Sequence, residues 1–328
     1  MTEAEFLERW RVEESIYTAW GDFILTCINE QLAAEIAPTE LDCFIKVPVK
    51  PRLKKEATLV DKAFHRNKGY ADPYADITDK VGMRFVVLLT IDITKVCSVI
   101  EDLRKFWIPS KDRDYEVERL AKPLEFSYQS VHYIVKAAAD LDHAGITIPA
   151  GIPCEIQVRT LLQHAHSELT HDTIYKPETT AKPEVRRAVA KSMALIEATD
   201  EFFVQAMGSL NSVVAMQTDL LTILTKTYTE GVGSPAGFER SNQLVIDAFA
   251  ERLPADWQVA IPDFFRAKGF IFDRLKERHQ GSYFFRQPVA LLAYYLVNTM
   301  PEQTKAMWPL VSNELALVFS DMGKKFET

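Results

Sequence analysis

Three short segments of this sequence carry charged side chains in patterns that suit chemistry on a phosphorylated substrate. The first is RLKKEATLVDKAFHR, in which Arg52 and Lys54 stand at the start and Lys62 and Arg66 lie one helical turn apart. Arginine binds phosphate oxygens through two parallel hydrogen bonds, whereas lysine supplies a compact positive charge. The segment therefore suits the polyphosphate tail of a nucleotide, and the alternative is a solvated basic face that binds nothing.

The second segment, DITDKVGMR at residues 76–84, puts acidic side chains directly before an apolar run that predicts a buried strand. Open α/β sheets bind their ligands beyond the ends of such strands. In proteins, Mg²⁺ is usually held by one or two carboxylates together with phosphate oxygens. Asp79 is therefore a candidate magnesium ligand, and the alternative is that Asp76 or Asp79 only caps or turns the chain.

The third segment is PCEIQVRT at residues 153–160, which predicts a strand. Because alternate side chains of a strand point to opposite faces, Glu155, Gln157 and Arg159 share one face, opposite the apolar side chains. Placing an acid, an amide and a guanidinium on one face is costly unless solvent or a ligand receives them. The pattern predicts a strand that faces a binding site, and the alternative is an edge strand with one face in water.

The elements that must position these residues follow from the apolar periodicity of the chain. Strands are predicted at residues 44–49, 83–90, 130–138 and 153–160, with a loop or hairpin at residues 140–151. One helix each is predicted at residues 92–107 and 161–175, and one or two helices each at residues 3–36 and 183–228. Strands that alternate with helices indicate an α/β (α+β) core with flanking helices, followed by a mainly α-helical C-terminal module.

A cluster rich in glycine, serine and proline, GVGSPAG at residues 231–237, marks the predicted domain boundary. The sequence therefore predicts a catalytic domain with its flanking helices over residues 1–230 and a helical module over residues 238–328. The large aromatic side chains of this module are predicted to form its core. The alternative is that they form a regulatory surface.

Composition and charge narrow the class of protein and its compartment. The net charge of −8 argues against a whole-molecule grip on nucleic acid. The N-terminus lacks the apolar core of a signal peptide, and no uncharged apolar run reaches the ~20 residues that span a bilayer. The 4 cysteines are far apart and form no C-x-x-C pair, as expected of free thiols in a reducing compartment. We therefore predict a cytoplasmic protein with no membrane partner.

Taken together, the three segments resemble the nucleotide pyrophosphokinase domain of the RelA/SpoT family, over roughly residues 44–177. The family patterns R-x-K-x-x-x-[ST]-x-x-x-K, D-x-x-G-x-R, Y-[RQ]-S-x-H and E-[IV]-Q-[IV]-R-T all occur, in this order. They fall on Arg52–Lys62, Asp79–Arg84, Tyr128–His132 and Glu155–Thr160. The resemblance implies a mixed β-sheet, nucleotidyltransferase-like synthetase core. His171-Asp172 is a lone HD pair, so the family's hydrolase domain is not expected.

The resemblance also implies roles for individual residues. The ATP phosphates would be bound by Arg52, Lys54, Lys62, Arg66 and Arg84. The cofactor Mg²⁺ would be bound by Asp79 and Glu155, the two catalytic residues, unless Glu155 instead acts as general base on the 3′-hydroxyl of the acceptor. The ring of Tyr128 would stack on the base of the acceptor. The acceptor or the transferred group would be contacted by His132, Gln157 and Arg159.

The reaction that the resemblance implies is transfer of the β,γ-pyrophosphate of ATP to the ribose 3′-hydroxyl of GDP or GTP, which makes a (p)ppGpp alarmone. Two departures leave the acceptor open, since Ser127 and Leu124 stand where the family usually has glycine and a basic residue. The first alternative is therefore a toxin that pyrophosphorylates the 3′ end of tRNA, with KPRLKK facing the tRNA and the C-terminal module acting as inhibitor or sensor. The second is a catalytically silent nucleotide-binding regulator.

Three further hypotheses concern partners and other sites. A homo-oligomer and a protein regulator that binds the C-terminal module are both consistent with the sequence. His164, Glu168 and His171 share one helical face and form a candidate metal site, but the resemblance accounts for this helix as support for the acceptor side. The sequence contains no G-x-x-x-x-G-K-[ST], which excludes a P-loop enzyme.

Overall fold

The computed structural model describes residues 1–126, 129–170, 182–233 and 240–326. The chain divides into two compact units, Met1–Ala206 and Met207–Thr328. The boundary between these units falls within a single long helix, α8 (Pro183–Val232). Most of the predicted boundary cluster at residues 231–237 lies outside the described residues, so the predicted domain limits remain a prediction.

The N-terminal unit is built around a five-stranded mixed sheet with the order β1-β2-β7-β4-β3. Its strands are β1 (Arg52–Leu53), β2 (Val81–Val87), β3 (Trp107–Arg113), β4 (Val131–Ala137) and β7 (Pro153–Thr160). The β2–β7 pair is parallel and the other pairs of this sheet are antiparallel. A separate hairpin is formed by β5 (Leu141–His143) and β6 (Ile146–Ile148), as the sequence predicted for this stretch. The mixed sheet confirms the predicted fold class.

The side chains of β7 alternate between two faces of the sheet, as predicted. Cys154, Ile156 and Val158 are completely buried in the core. Glu155 and Gln157, on the opposite face, are only partly buried. The sheet therefore has one apolar face that packs on helices and one polar face, on which Glu155 and Gln157 are partly exposed and Arg159 is completely buried.

Helices cover the apolar face and flank the sheet. They are α1 (Glu3–Ile36), α2 (Leu41–Phe44), α3 (Glu56–Val60), α4 (Pro73–Asp76), α5 (Thr90–Asp102), α6 (Tyr115–Ala121) and α7 (Leu161–Thr170). Helix α1 begins with a capping box, in which the Thr2 hydroxyl accepts from the Glu5 N–H and the Glu5 carboxylate accepts from the Thr2 N–H. Trp20, Ile24 and Ile28 of α1 are completely buried in the same core as the sheet.

The prediction of a strand at residues 44–49 is wrong. Phe44 ends α2, and the following segment runs beside β2 without forming a ladder with it. Lys46 donates one backbone hydrogen bond to the carbonyl of Val86 at 2.7 Å. Pro48 has no N–H group and cannot continue such a ladder, which explains why an apolar, β-branched run fails to become a strand.

The helix predicted at residues 92–107 ends earlier than expected, and β3 follows it as an unpredicted strand. Helix α5 ends at Asp102, and Trp107–Arg113 pairs with β4 at the edge of the sheet. Most β3 side chains beyond Trp107 are polar or exposed, so the strand lacks the apolar pattern that identifies buried strands.

The C-terminal unit is helical, as predicted. After α8 it contains α9 (Arg240–Phe249), α10 (Trp257–Ala267), α11 (Phe270–Arg278), α12 (Val289–Thr299), α13 (Pro301–Met307) and α14 (Ser312–Asp321). Short 3₁₀ turns lie at Ala250–Arg252 and Tyr283–Arg286. Helix α12 forms the centre of this unit, since every residue from Val289 to Val297 is buried.

The aromatic side chains of the C-terminal unit mainly build its core. Phe265, Phe284 and Phe285 are buried in the same core as α12, whereas Phe270 and Tyr283 are exposed. In the described part of the chain, no helix is both long enough and apolar enough to cross a membrane.

Candidate active site

Two segments that are distant in the sequence meet at the start of β2. The backbone N–H of Lys54 donates to the carbonyl of Lys80 at 2.8 Å, next to the short β1–β2 ladder. This arrangement places the Lys54 side chain beside Asp79, and Lys54 Nζ donates to Asp79 Oδ2. Lys62 Nζ lies 2.9 Å from the same oxygen. The structure thus brings together an acid and two lysines that were predicted on the ATP side.

The two lysines keep Asp79 ionised. Burial acts to raise the pKa of Asp79, but the charges and hydrogen bonds of Lys54 and Lys62 outweigh burial and hold that pKa below its ordinary value. Burial lowers the pKa of Lys54, and the attraction of Asp79 opposes this shift. The second oxygen of Asp79, Oδ1, is buried and has no hydrogen-bond partner among the described residues. A buried carboxylate oxygen in this state is unusual and suits a cation.

Lys62 reaches this site from a π-helical turn, Asp61–His65, that directly follows α3. Such turns are rare and frequently occur at functional sites. The other basic residues of the segment lie differently. Arg66 Nε donates to Asp61 Oδ2 at 2.6 Å within its own turn, and Arg52 is exposed on β1. Lys62 is therefore at the Asp79 carboxylate, whereas Arg66 is paired with Asp61.

Glu155 lies on β7, and two neighbouring side chains orient its carboxylate. His132 Nδ1, on β4, lies 3.3 Å from Glu155 Oε1. The amide Nε2 of Gln157 donates to Glu155 Oε2 at 3.1 Å. The negative charge of Glu155 acts to raise the pKa of Lys54, as Asp79 does.

Steric crowding explains why the D-x-x-G-x-R pattern has glycine at position 82. Gly82 is the direct cross-strand partner of Glu155 in the parallel β2–β7 pair. A Cβ atom at position 82 would lie 3.3 Å from the carbonyl oxygen of Glu155 and 3.8 Å from its Oε2. Glycine therefore leaves the space above the Glu155 carboxylate clear.

The donor set at this site fits a magnesium ion. Asp79 Oδ1 has no hydrogen-bond partner among the described residues, and Glu155 supplies a second carboxylate on β7, the strand that pairs with β2. Mg²⁺ prefers one or two carboxylates and completes its shell with water and substrate phosphates. Among the residues that the structure describes, no group of three or more His, Cys, Asp or Glu side chains could hold a metal by itself. Phosphate oxygens would therefore have to complete the site.

A second polar cluster extends along β2 and β7 from Glu155. Arg84 and Gln157 are cross-strand partners, and Arg84 Nε lies 3.4 Å from Gln157 Oε1. Arg84 Nη1 also donates to Glu168 Oε1 at 2.9 Å, from α7. Arg159 is completely buried, and its Nη2 lies 3.9 Å from the same Glu168 oxygen. Sequence reasoning assigned Glu168 only to a metal alternative, although it contacts both arginines.

The metal alternative on α7 gains no support from its described members. His164 Nδ1 lies 3.8 Å from Glu168 Oε1, which is too long for a hydrogen bond. Burial lowers the pKa of His164, and the charges of Arg159 and Arg84 lower it further. His171, the third predicted member, lies outside the described residues, as does Tyr128, the residue predicted to stack on the acceptor base.

A comparison with protein families matches residues 51–180 to the region found in RelA/SpoT proteins. This chain contains a RelA/SpoT-family domain. The matched range includes the carboxylates of Asp79 and Glu155 and the residues around them, namely Lys54, Lys62 and Gly82. No curated protein matches the chain.

Solved structures resemble about three-fifths of the chain. Small alarmone synthetase 1 from Bacillus subtilis is 18% identical with a TM-score of 0.50, covering 62% of this chain and 99% of that protein. A GTP pyrophosphokinase family protein from Streptococcus pneumoniae is 22% identical with a TM-score of 0.50, covering 65% and 97%. Small alarmone synthetase 2 from B. subtilis is 19% identical with a TM-score of 0.50, covering 61% and 98%. At these identities the likeness establishes the fold.

The RelA/SpoT domain contains site residues that sequence reasoning did not single out. Gln129 and Gln163 are buried, and Gln163 Nε2 donates to Gln129 Oε1 at 3.2 Å. Gln129 lies inside a family pattern, which could have drawn attention to it. Its partner on α8, Glu197, is 68 residues away and carries no local signal.

Proposed function

We propose that this chain is an ATP-dependent pyrophosphokinase that transfers the β,γ-pyrophosphate of ATP to the ribose 3′-hydroxyl of GDP or GTP. The family domain and the fold support pyrophosphokinase activity in general. The observation that carries the donor side of this proposal is Asp79, a buried carboxylate that two lysines neutralise and that keeps Oδ1 without a partner among the described residues. This is the charge arrangement that a magnesium-bound polyphosphate requires.

On the donor side, Lys54 and Lys62 are the groups that exchange Asp79 for the phosphates of ATP. Lys54 and Lys62 now neutralise Asp79, and an entering triphosphate offers them oxygens of higher negative charge. Mg²⁺, held by Asp79 and the substrate phosphates when bound, would neutralise charge on the transferred group, and this leaves Glu155 free to act as the base. Arg84, close to Gln157, is the next cation along the polar face. Catalysis then consists mainly of positioning and charge neutralisation.

On the acceptor side, Glu155 is the candidate general base. Its two oxygens are oriented by His132 and Gln157, which fixes the carboxylate towards the open face of the sheet. Glu155 takes the proton of the 3′-hydroxyl as that oxygen bonds to the β-phosphorus of ATP. The bond between the β-phosphorus and the oxygen that bridges it to the α-phosphate breaks, and AMP leaves with that oxygen. The pyrophosphate is then on the 3′ oxygen, without a covalent enzyme intermediate.

The test is incubation of the purified chain with γ-³²P-ATP, Mg²⁺ and, in separate reactions, GDP, GTP, ATP or bulk tRNA. We expect label on a guanine nucleotide, and Glu155→Gln should abolish this transfer while ATP binding by calorimetry is retained. Glu8→Gln, on the exposed face of α1, is the control and should transfer normally. Transfer by Glu155→Gln would show that Glu155 is not the base.

The second candidate function is pyrophosphorylation of the 3′ end of tRNA, with the C-terminal module as inhibitor or sensor. It is favoured by Leu124, which is 92% exposed where the family usually has a basic residue for the acceptor. The exposed Arg52 and Lys55 would then face the tRNA backbone. Label on tRNA but on no mononucleotide would select this candidate. A silent regulator is disfavoured because Asp79 and Glu155 are both present, and absence of label on every acceptor would select it.

A further inference from the structure

A buried hydrogen bond connects helix α8 to the end of the strand that carries Glu155. Thr160 is the last residue of β7, and its hydroxyl donates to Asp200 Oδ2 at 2.8 Å. Both residues are buried, and Asp200 is only 2% exposed. Burial of a carboxylate costs desolvation free energy, and carboxylates are rarely buried unless a partner offsets that cost. Asp200 is thus a buried acid that the transfer reaction described above does not use.

The same threonine connects to the acceptor pattern through two glutamines. Thr160 N–H donates to Gln163 Oε1 at 3.0 Å, and the Thr160 hydroxyl accepts from Gln163 N–H at 3.1 Å. Gln163 Nε2 donates to Gln129 Oε1 at 3.2 Å. Gln129 Nε2 donates to Glu197 Oε2 at 2.8 Å. The network therefore runs from Asp200 to Glu197, one turn apart on α8, through β7, α7 and the acceptor pattern.

The direction of every bond in this network is determined by its carboxylate end. An ionised carboxylate can only accept, so Gln129 must present its NH₂ group to Glu197 and its carbonyl to Gln163. Gln163 must then present its own carbonyl to Thr160. Gln129, Thr160 and Gln163 are all buried, so a reversed amide would leave polar atoms without partners at a cost of about 1–3 kcal/mol each.

The network lies on the acceptor side of the site. Gln129 immediately follows Tyr128 in the Y-Q-S-V-H pattern, and Thr160 closes the strand that carries Glu155 and Gln157. The ion pairs of Asp79 with Lys54 and Lys62 involve none of its members. A change at Glu197 or Asp200 should therefore act on the acceptor and spare ATP.

We propose that Glu197 and Asp200 of α8 are positioning residues that hold the acceptor-binding segment through Gln129 and Thr160. This inference rests on the proposed function and adds a determinant of acceptor affinity outside the family patterns. The outer side of Glu197 is held by Arg119 of α6, whose Nη1 lies 3.2 Å from Glu197 Oε1. Neither acid needs to touch a substrate for this role.

The experiment compares initial rates of the full-length chain and of Glu197→Gln and Asp200→Asn. We expect each variant to raise the KM for the acceptor roughly tenfold, as for loss of one buried charge-assisted hydrogen bond, with the KM for ATP changed less than twofold. Glu201→Gln is the matched control, because Glu201 lies on the same helix, is largely exposed and is 3.5 Å from Arg119. Its kinetic constants should equal those of the wild type.

A double variant in which the two side chains are exchanged separates a positioning role from a general loss of stability. In the double variant Gln129→Glu with Glu197→Gln, the new amide at position 197 can donate to the new carboxylate at position 129. That carboxylate can still accept from Gln163, so the direction of the network is preserved. We expect the swap to restore most of the acceptor KM that Glu197→Gln loses, which a purely structural role for the charge at position 197 would not do.

Two results would overturn the inference: an unchanged acceptor KM in both single variants, or an equal rise of both KM values together with a lower melting temperature. Failure of the proposed function would appear differently, as absence of transfer by the wild type. In that case calorimetric binding of GDP or of tRNA decides the inference, with roughly tenfold weaker binding to Glu197→Gln expected. If the wild type bound no acceptor at all, the proposed function and the inference would both be wrong.

Discussion

Gly82 of β2 lies directly opposite Glu155 of β7, and a methyl group at position 82 would come within 3.3 Å of the Glu155 carbonyl oxygen. This contact is tight, and the backbone of a central parallel pair cannot easily move away. The position of the proposed base, Glu155, therefore depends on the absence of a side chain at Gly82 on the neighbouring strand β2.

We predict that Gly82→Ala lowers kcat roughly tenfold, because a displaced carboxylate loses alignment with the hydroxyl it must deprotonate. The KM for ATP should change little. Gly208→Ala is the matched control, since an added Cβ there meets nothing within 4 Å and lies inside α8. It should leave kcat unchanged and stabilise the chain by up to about 1 kcal/mol. Equal kinetics for the two variants would contradict the steric role of Gly82.

The lysines at Asp79 lead to a second prediction. Lys54→Met and Lys62→Met should each raise the KM for ATP roughly tenfold, because each removes a charge that binds phosphate oxygens. The KM for the acceptor should remain within about twofold of the wild type. Steady-state kinetics with ATP varied at saturating acceptor, and then the reverse, measures both constants. Lys191→Met, an exposed position on α8, serves as control. A rise confined to the acceptor KM would place these lysines on the wrong side of the site.

Asp200 should make the stability of the chain depend on pH in a specific direction. Burial raises the pKa of Asp200 to about 6, although the Thr160 hydrogen bond opposes this, and the neighbouring Tyr115 is neutral throughout. A raised pKa means that the folded state binds this proton more tightly than the unfolded state. Its contribution to stability is therefore lost as the pH rises from about 4 to about 6.

Asp200→Asn removes this titration, which gives a measurable difference. The melting temperature of Asp200→Asn relative to the wild type should be higher at pH 7 than at pH 4.5, because only the wild type loses stability over that interval. Differential scanning calorimetry of both proteins in matched buffers measures the difference, and the other carboxylates cancel in the comparison. The same offset at both pH values would contradict a raised pKa at this position.

In the C-terminal unit, Asp321 anchors α14 to the rest of the core. Arg278 donates to both oxygens of Asp321 at 2.6 and 2.7 Å, and the Tyr294 hydroxyl donates to Oδ2 at 2.6 Å. Burial acts to raise the pKa of Asp321, but these donors outweigh burial and hold that pKa below its ordinary value. We predict that Asp321→Asn lowers the free energy of unfolding of this unit by about 3 kcal/mol at pH 7.

The depressed pKa of Asp321 determines how this loss varies with pH. The pair contributes fully above the pKa of an unfolded aspartate, and its contribution is lost as the pH falls through the lower folded-state pKa. Urea unfolding at pH 7 and pH 3 should therefore show a smaller effect of Asp321→Asn in acid. Asp263→Asn removes an exposed ion pair with Arg266 and should change stability by less than about 0.5 kcal/mol.

Much of the site follows from the sequence because its chemistry lies in local patterns. The alternation of Glu155 and Gln157 with Ile156 and Val158 predicts both the strand β7 and the polar face, since side chains alternate in any strand. The roles given to all site residues in substrate and metal binding, including Tyr128, Arg52 and Arg66, remain predictions. The edge strand β3 was missed because its side chains are mostly polar and exposed, and an edge strand has no need of an apolar pattern.

The sequence by itself determined which residues are available for chemistry, namely two carboxylates and a basic segment. It also determined that the C-terminal part is helical. Only the tertiary structure decided their pairing. Lys54 and Lys62 meet Asp79 because β1 pairs with β2 and a π-helical turn directs Lys62 to the same oxygen. Glu197 of α8 reaches Gln129 across 68 residues. Such contacts depend on sheet register and helix packing, which are set by the whole core and leave no trace in local periodicity.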